Sequence, residues 1–290
     1  HEWNTARFFS YLVTSGGVTT TPGISNTGVV HLQNAVTAPY QPSHGYMKGS
    51  VDGSKLAVAV MNAVNMVQVL DFDNTNGQLS NPISMPLRDP YGVEFSPSGR
   101  YLYAAISSSP DTVFQYDLQS ANIPASKQIA GTTTTGTIIN ALQLANNGKI
   151  YGCQFNQSFL AVINNPDTIA SACGFATNAV ALNGSCRQGL PNFFVSLFLN
   201  ADYTYADTCF NDGTTFNLVY AGTPDSVLWD FDDPLSGALN FSNGINPQHT
   251  FVASGQYTVS CIVYDLGISD TVTKTITINA LPIANLGNDT

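Results

Sequence analysis

The sequence predicts an all-β chain in two parts, and three observations predict it. A phrase built from a glycine turn and two alternating strands recurs three times in the first two-thirds. No segment sustains the 3.6-residue apolar period of a helix. Beyond residue 198 the spacing shortens to that of a small β-sandwich. Composition agrees with this class. The 290 residues are 43% hydrophobic and 11% aromatic, enough for a core and unlike a disordered chain. Only 10% are charged, with 9 basic against 19 acidic side chains and a net charge of −10. A charge-rich helical protein is excluded, because Thr, Ser, Asn and Gln make up the polar half. Nucleic acid is excluded as a partner, since a phosphate backbone needs clustered Lys and Arg. No run approaches the roughly 18 apolar residues of a membrane-spanning helix.

The repeat sets the first part. Val51-Asp52-Gly53-Ser54-Lys55-Leu56-Ala57-Val58-Ala59 leads to Val67-Gln68-Val69-Leu70-Asp71-Phe72. Phe95-Ser96-Pro97-Ser98-Gly99-Arg100-Tyr101-Leu102-Tyr103 leads to Val113-Phe114-Gln115-Tyr116-Asp117. Leu144-Ala145-Asn146-Asn147-Gly148-Lys149-Ile150-Tyr151 leads to Leu160-Ala161-Val162-Ile163-Asn164. The turn glycines are 46 and then 49 residues apart. Each glycine supplies the positive φ of a tight turn, and a basic residue and an alternating strand follow. Several short strands per unit of about 40–50 residues mark β-propeller blades, which bury their faces by stacking on neighbours. With a weaker unit over 1–44, residues 1–198 are predicted to hold about four blades. So few blades leave strand edges open. The chain enters a strand-like run, Ala6–Val13, almost at once and closes on Leu286-Gly287-Asn288-Asp289-Thr290. The expectation is a segment of a longer polypeptide, truncated at its N-terminus, with residues 282–290 a linker to a further module.

The second part, 199–281, is predicted as an immunoglobulin-like sandwich. Strands are expected around Thr215–Val219, Ser226–Phe231, Ala238–Asn240, Pro247–Phe251, Gly255–Asp265 and Thr271–Ile278. Five cysteines occur without a CxxC pair or a nearby histidine pair, which argues against zinc. In an exported chain the expected disulfides are Cys173–Cys186, whose 13-residue separation closes a short loop, and Cys209–Cys261 within the second part, with one spare thiol. The alternative is buried thiols acting as small apolar residues.

Three blocks of the second part carry a resemblance. Trp229-Asp230-Phe231-Asp232-Asp233, then His249-Thr250-Phe251, then Gly255-Gln256-Tyr257-Thr258-Val259 resemble the W-x-F-G-D-G, H-x-Y/F and G-x-Y-x-V blocks of the polycystic-kidney-disease (PKD) domain. The match departs at Asp232, where the family prefers glycine. The resemblance implies structural roles for Trp229, Asp230, Phe231, His249, Phe251, Gly255 and Tyr257. The first part is similar to the lactonase-like propellers of type IX-secreted, gliding-motility-associated surface proteins of Bacteroidota. The matching phrases are Gly45-Tyr46-Met47-Lys48, Tyr91-Gly92-Val93-Glu94-Phe95-Ser96-Pro97, Leu142-Gln143-Leu144, Val162-Ile163-Asn164-Asn165-Pro166 and Gly189-Leu190-Pro191-Asn192-Phe193. That resemblance implies an extracellular or outer-surface location and further blades and modules beyond this segment.

Catalytic signatures are absent from the sequence. His1, His31, His44 and His249 show no metalloprotease spacing, and neither a G-x-S-x-G elbow nor a phosphate-binding loop occurs. Arg88, Asp89 and Glu94 are the candidates for a lactonase-like channel site, although blades carry such residues at turns. No cofactor is expected. Asp230, Asp232 and Asp233, near Asp225, are weak Ca²⁺ candidates against the alternative of a solvated acidic turn, and Asp71, Asp73 and Asn74 are weaker still. In bacteria of the kind the resemblance suggests, Asp-Ser/Thr-apolar triplets look like an O-glycosylation signal, which implies candidates at Thr112, Thr168, Ser226 and Thr271. Asn156, Asn183 and Asn240 begin N-glycosylation sequons.

The expected function is an extracellular adhesion or display segment, with the propeller as binding platform and the PKD domain as spacer. Expected partners are surface glycans or other surface and secreted proteins, and the secretion or gliding machinery through downstream modules. The alternatives are a subunit of an extracellular assembly joined by strand edges, and a lactonase-like hydrolase, which requires polar side chains converging on the channel.

Overall fold

Gly53, Gly99 and Gly148 have φ of 70°, 69° and 72°, a left-handed conformation that any residue with a Cβ resists. Each folds the chain back between the first two strands of its repeat. The computed structural model describes residues 1–14, 16–32, 45–61, 64–108, 111–134, 137–192, 201–220, 223–265 and 268–282. Among them, helix is confined to three short 3-10 segments, so the class is all-β. The chain divides into units 1–196 and 197–290. The expected boundary at 198/199 and most of the expected linker lie outside the described residues.

The first unit opens with β1 (Arg7–Ser10), β2 (Val13–Thr14), β3 (Gly17–Val18) and β4 (Gly23–Asn26), paired β1 to β4 and β2 to β3. Sheet I is β5 (Met47–Gly49), β6 (Lys55–Val60), β7 (Met66–Asp73) and β8 (Gln78–Pro86). Sheet II is β9 (Pro90–Phe95), β10 (Tyr101–Ile106), β11 (Thr112–Asp117) and β12 (Gln128–Thr132). Sheet III is β13 (Ile139–Leu144), β14 (Ile150–Gln154), β15 (Phe159–Ile163) and β16 (Phe175–Ala181). All three are antiparallel meanders in chain order. The unit expected over 1–44 is not a four-stranded sheet among the described residues. Its Thr- and Gly-rich middle lacks the apolar alternation that long strands need.

The sheets stack through their apolar faces. Ala57, Val67, Val69 and Met85 of sheet I share a core with Val93, Phe95, Leu102 and Tyr116 of sheet II. Burying each of the larger side chains contributes about 1.5–3 kcal/mol. Phe8 of β1 packs with Val58, Val60, Leu70 and Leu79 of sheet I. Between sheets II and III the backbones come closer still. A Cβ on Gly92 of β9 would lie 2.1 Å from the Asn140 carbonyl oxygen of β13, so only glycine fits there. Polar bonds also cross this junction: Tyr103 Oη donates to Pro166 O (2.9 Å), and Gln115 Nε2 donates to Thr168 O (2.8 Å).

The second unit has two antiparallel sheets. β17 (Asp202–Ala206), β18 (Thr214–Val219), β19 (Ser226–Asp230), β20 (Phe241–Ser242), β21 (Gln248–His249), β22 (Gly255–Asp265) and β23 (Ile268–Ile278) arrange as β17-β18-β21 and β20-β19-β22-β23. The expected strand at Ala238–Asn240 is instead the end of a 3-10 segment, Pro234–Asn240, that starts with proline near its first turn. Tyr203, Phe216, Trp229, Phe231, Phe251, Val259, Val263, Ile276 and Ile278 form the core between the two sheets.

The expected disulfides are corrected by the structure. Cys186 bonds to Cys153, with a Cα–Cα separation of 5.9 Å, and not to Cys173. Cys173 is a buried thiol that donates to Ala130 O and lies at the junction of sheets II and III. Cys209 is exposed and Cys261 is buried in the core beside Trp229, its register partner, so these two are free as well. Cys153 sits on β14, facing the returning segment that carries Cys186 and Leu190. Proximity in the fold, not loop length in the sequence, chooses the pair.

Candidate functional site

Each turn glycine has a polar residue five positions before it: Lys48, Glu94 and Gln143. They occupy the first strand of sheets I, II and III, opposite Ala57, Tyr103 and Tyr151. Alternation turns all three side chains the same way relative to their sheets, and stacking brings them together. Lys48 Nζ lies 3.3 Å from Glu94 Oε2 and donates to Gln143 Oε1 at 2.5 Å. Glu94 also accepts the backbone N–H of Leu144 (2.9 Å) and of Phe95 (3.1 Å). Gln143 Nε2 donates to Leu144 O at 2.8 Å.

Burial governs the electrostatics. Lys48, Glu94 and Gln143 are 4%, 4% and 5% exposed. Loss of water pushes the Glu94 carboxyl up, with Lys48 and two backbone amides opposing. The same desolvation pulls the Lys48 ammonium down, with Glu94 opposing. A Lys–Glu–Gln set at this depth joins three sheets at one point and offers a ligand almost no surface.

Of the three channel candidates, the cluster takes Glu94 alone. Arg88 Nε bonds to Asp89 Oδ2 at 3.1 Å outside β9, on side chains 82% and 22% exposed. Lys48 and Gln143 were missed as candidates, although their common offset from the glycines is written in the sequence. The other repeated charges form cross-strand rungs near the turns. Lys55 pairs with Asp71 (2.8 Å), Arg100 with Asp117 (2.9 Å), and Lys149 Nζ donates to Asn164 Oδ1 (2.9 Å). Hydrogen bonds from Lys55 and Asn81 hold the Asp71 carboxyl below the usual range, and those from Thr75 do the same for Asp73. Asp73 thus shapes the turn that contains Asn74.

The acidic turn of the second unit is likewise engaged within the protein. Asp230 accepts from the Asp232 N–H and from Asn240 Nδ2, and Asp232 from the Thr258 N–H. Asp233, 1% exposed, meets His249 Nε2 at 3.0 Å and accepts the Val252 N–H. His249 stacks on Phe231 at 4.3 Å and meets Phe251 edge-on, and Phe251 packs on Tyr257. Trp229 Nε1 donates to Gly244 O. Gly255 begins β22 at φ 154°. Among the described residues no three His, Cys, Asp or Glu side chains gather as a metal site.

The modification candidates differ in access. Thr168, Ser226 and Thr271 are exposed, and Thr112 is half-buried in β11 opposite Thr132. Asn156 and Asn183 are exposed, whereas Asn240 is buried with both ends of its amide bonded, to Asp233 N and Asp230 Oδ1. Asp111, in the triplet of Thr112, is 1% exposed. Its Oδ2 accepts the Ile139 N–H across sheets II and III, and Oδ1 is buried without a partner of good hydrogen-bond geometry among the described residues. Burial pushes this carboxyl up to about 7. His31 stacks on His1 at 3.5 Å, and burial with the nearby N-terminal charge lowers it to about 4. His44 lies outside the described residues.

No family model and no curated protein matches the chain. Among solved structures it is similar to a Bacteroides fragilis protein assigned as a 6-phosphogluconolactonase, at 13% identity over 51% of this chain and 41% of that one, TM-score 0.37. It is similar to the extracellular domain of an assigned hybrid two-component system of B. thetaiotaomicron, at 11% identity over 97% and 44%, TM-score 0.30. A prolyl endopeptidase gives 14% identity over 95% and 42%, TM-score 0.34. In each case the chain spans less than half of the other protein.

Proposed function

We propose that the chain is a non-catalytic segment of a bacterial extracellular or outer-surface protein. Sheets I–III are successive blades of a β-propeller that serves as a binding platform, and the second unit is a PKD-type spacer. Surface glycans and other surface proteins are its partners, with modules outside this chain linking it to secretion or gliding machinery. One observation carries the absence of catalysis. The polar side chains that converge where the three sheets meet are bonded to one another and no more than 5% exposed. The Asp233–His249 pair supports the spacer role, because it braces the sandwich core. No helix among the described residues is long and apolar enough to cross a membrane.

The test has two arms. The purified chain is expected to be retained by immobilised surface polysaccharide or intact cells, and to leave simple lactones unhydrolysed. Hydrolysis that is lost in Glu94→Gln overturns the non-catalytic reading and favours a lactonase-like enzyme. That second reading draws its support from the convergence of Lys48 and Glu94. A third, assembly through strand edges, draws on β23, eleven residues long at the end of its sheet. A stable monomer in light scattering counts against it.

A further inference from the structure

We propose that a cleft between sheets I and II binds a small carboxylate that carries a compact apolar group, such as one ring or a branched chain. The cleft holds about 390 Å³, within the range of small-ligand pockets. Pro86 and Leu87, at the end of sheet I, face Ile106 and Phe114 of sheet II to make an apolar lining. Two cations, Arg88 and Lys127, border it.

The balance of charge singles out this place. The chain has nine basic side chains and a net charge of −10. Six have a carboxylate partner: Arg7, Lys48, Lys55, Arg88, Arg100 and Lys274. Lys149 and Arg187 donate to asparagine oxygens. Lys127 differs from all of them. Its contact among the described residues is the face of Phe114, with Nζ 5.2 Å from the ring centroid. An ammonium over a ring keeps most of its capacity to bind an anion. Arg88 meets Asp89 through Nε alone, and its side chain is 82% exposed, so its terminal nitrogens face water. Two cations at the edge of an apolar hollow complement an anion with an apolar body.

The same lining disfavours other ligands. A metal ion finds two positive charges and no carboxylate among the described residues that line the cleft. A neutral sugar needs several directional polar groups, and the one amide lining the cleft, Asn65, already accepts the Asp89 N–H at 2.8 Å. The inference is independent of the propeller reading, since it uses only the facing edges of two sheets.

Titration of the full chain with 3-phenylpropionate, followed by methyl NMR, tests it. Saturable shifts are expected at the Leu87 and Ile106 methyls, with 3-phenylpropan-1-ol at least about fivefold weaker, as loss of an ion pair worth about 1 kcal/mol predicts, and acetate weaker because it lacks the ring that the cleft buries. Lys127→Gln and Arg88→Gln are each expected to weaken binding by about threefold to fivefold at unchanged melting temperature. Lys149→Gln, away from the cleft, is expected to bind as the parent does. The proposal is overturned if those methyls do not shift up to about 20 mM ligand, if the alcohol binds as tightly as the acid, or if both cleft variants titrate like the parent.

Discussion

Lys48 Nζ and Glu94 Oε2 stand 3.3 Å apart on side chains 4% and 5% exposed, on the first strands of two adjacent sheets. The pair is held by Gln143 from a third sheet and by two backbone amides. Its position makes it a joint between repeats, and joints of this kind respond unevenly to mutation.

Removing one partner leaves a buried charge unpaired. Glu94→Gln and Lys48→Met are each expected to lower unfolding free energy by about 3–5 kcal/mol. The double variant is expected to lose clearly less than the sum, because neither charge remains. Urea denaturation of the three variants and the parent measures the coupling, and additive losses refute it.

Asp111 predicts a pH dependence of opposite sign to ordinary acid denaturation. Its carboxyl titrates near 7 when folded and near 3.8 when exposed. The folded state therefore holds the extra proton between these values. The stabilisation is complete below about 3.8 and is lost as pH rises through about 7. Urea midpoints of the parent are expected to fall from pH 5 to pH 8, and those of Asp111→Asn to fall less. Equal slopes in the two proteins refute the assignment.

Thiol counting checks the disulfide. Without reductant, a small alkylating agent is expected to label the exposed Cys209 in the native chain and all three free cysteines after denaturation. The Cys153–Cys186 bond closes a separation of 33 residues, and Cys153→Ser/Cys186→Ser is expected to cost about 2–4 kcal/mol. A peptide map that links Cys173 to Cys186 sinks the prediction.

In the second unit, Asp233→Ala strips His249 and the Val252 amide of their shared acceptor. A loss of about 2–4 kcal/mol is expected. The chain has two tryptophans, Trp3 and Trp229, and Trp229 is fully buried. In a Trp3→Phe background, tryptophan fluorescence follows the second unit within the full chain. An unchanged midpoint there refutes a bracing role for Asp233.

The three glycine turns were legible because positive φ is a local demand that few residues meet, and their spacing exposed the repeat. The core of the second unit was legible through the resemblance to the PKD blocks, which implied structural roles for Trp229, Phe231, His249 and Phe251, all four of them buried. The strand expected at Ala238–Asn240 was not, because Pro234 and the bonds of Asn240 to Asp230 and Asp233 favour a 3-10 segment there. The disulfide was misassigned by loop length, since Cys186 reaches Cys153 only after residues 182–190 fold back over sheet III.

By itself the sequence determined the local geometry: where the chain turns, which residues alternate inward, and that Lys48, Glu94 and Gln143 share one repeat position. Only the tertiary structure decided that these three meet, that Cys153 is the partner of Cys186, and that Lys127 stands beside Arg88 over an apolar hollow. The physical reason is range. Turn preference and alternation act over a few residues, whereas ion pairing, disulfide formation and cleft shape depend on how separate sheets stack.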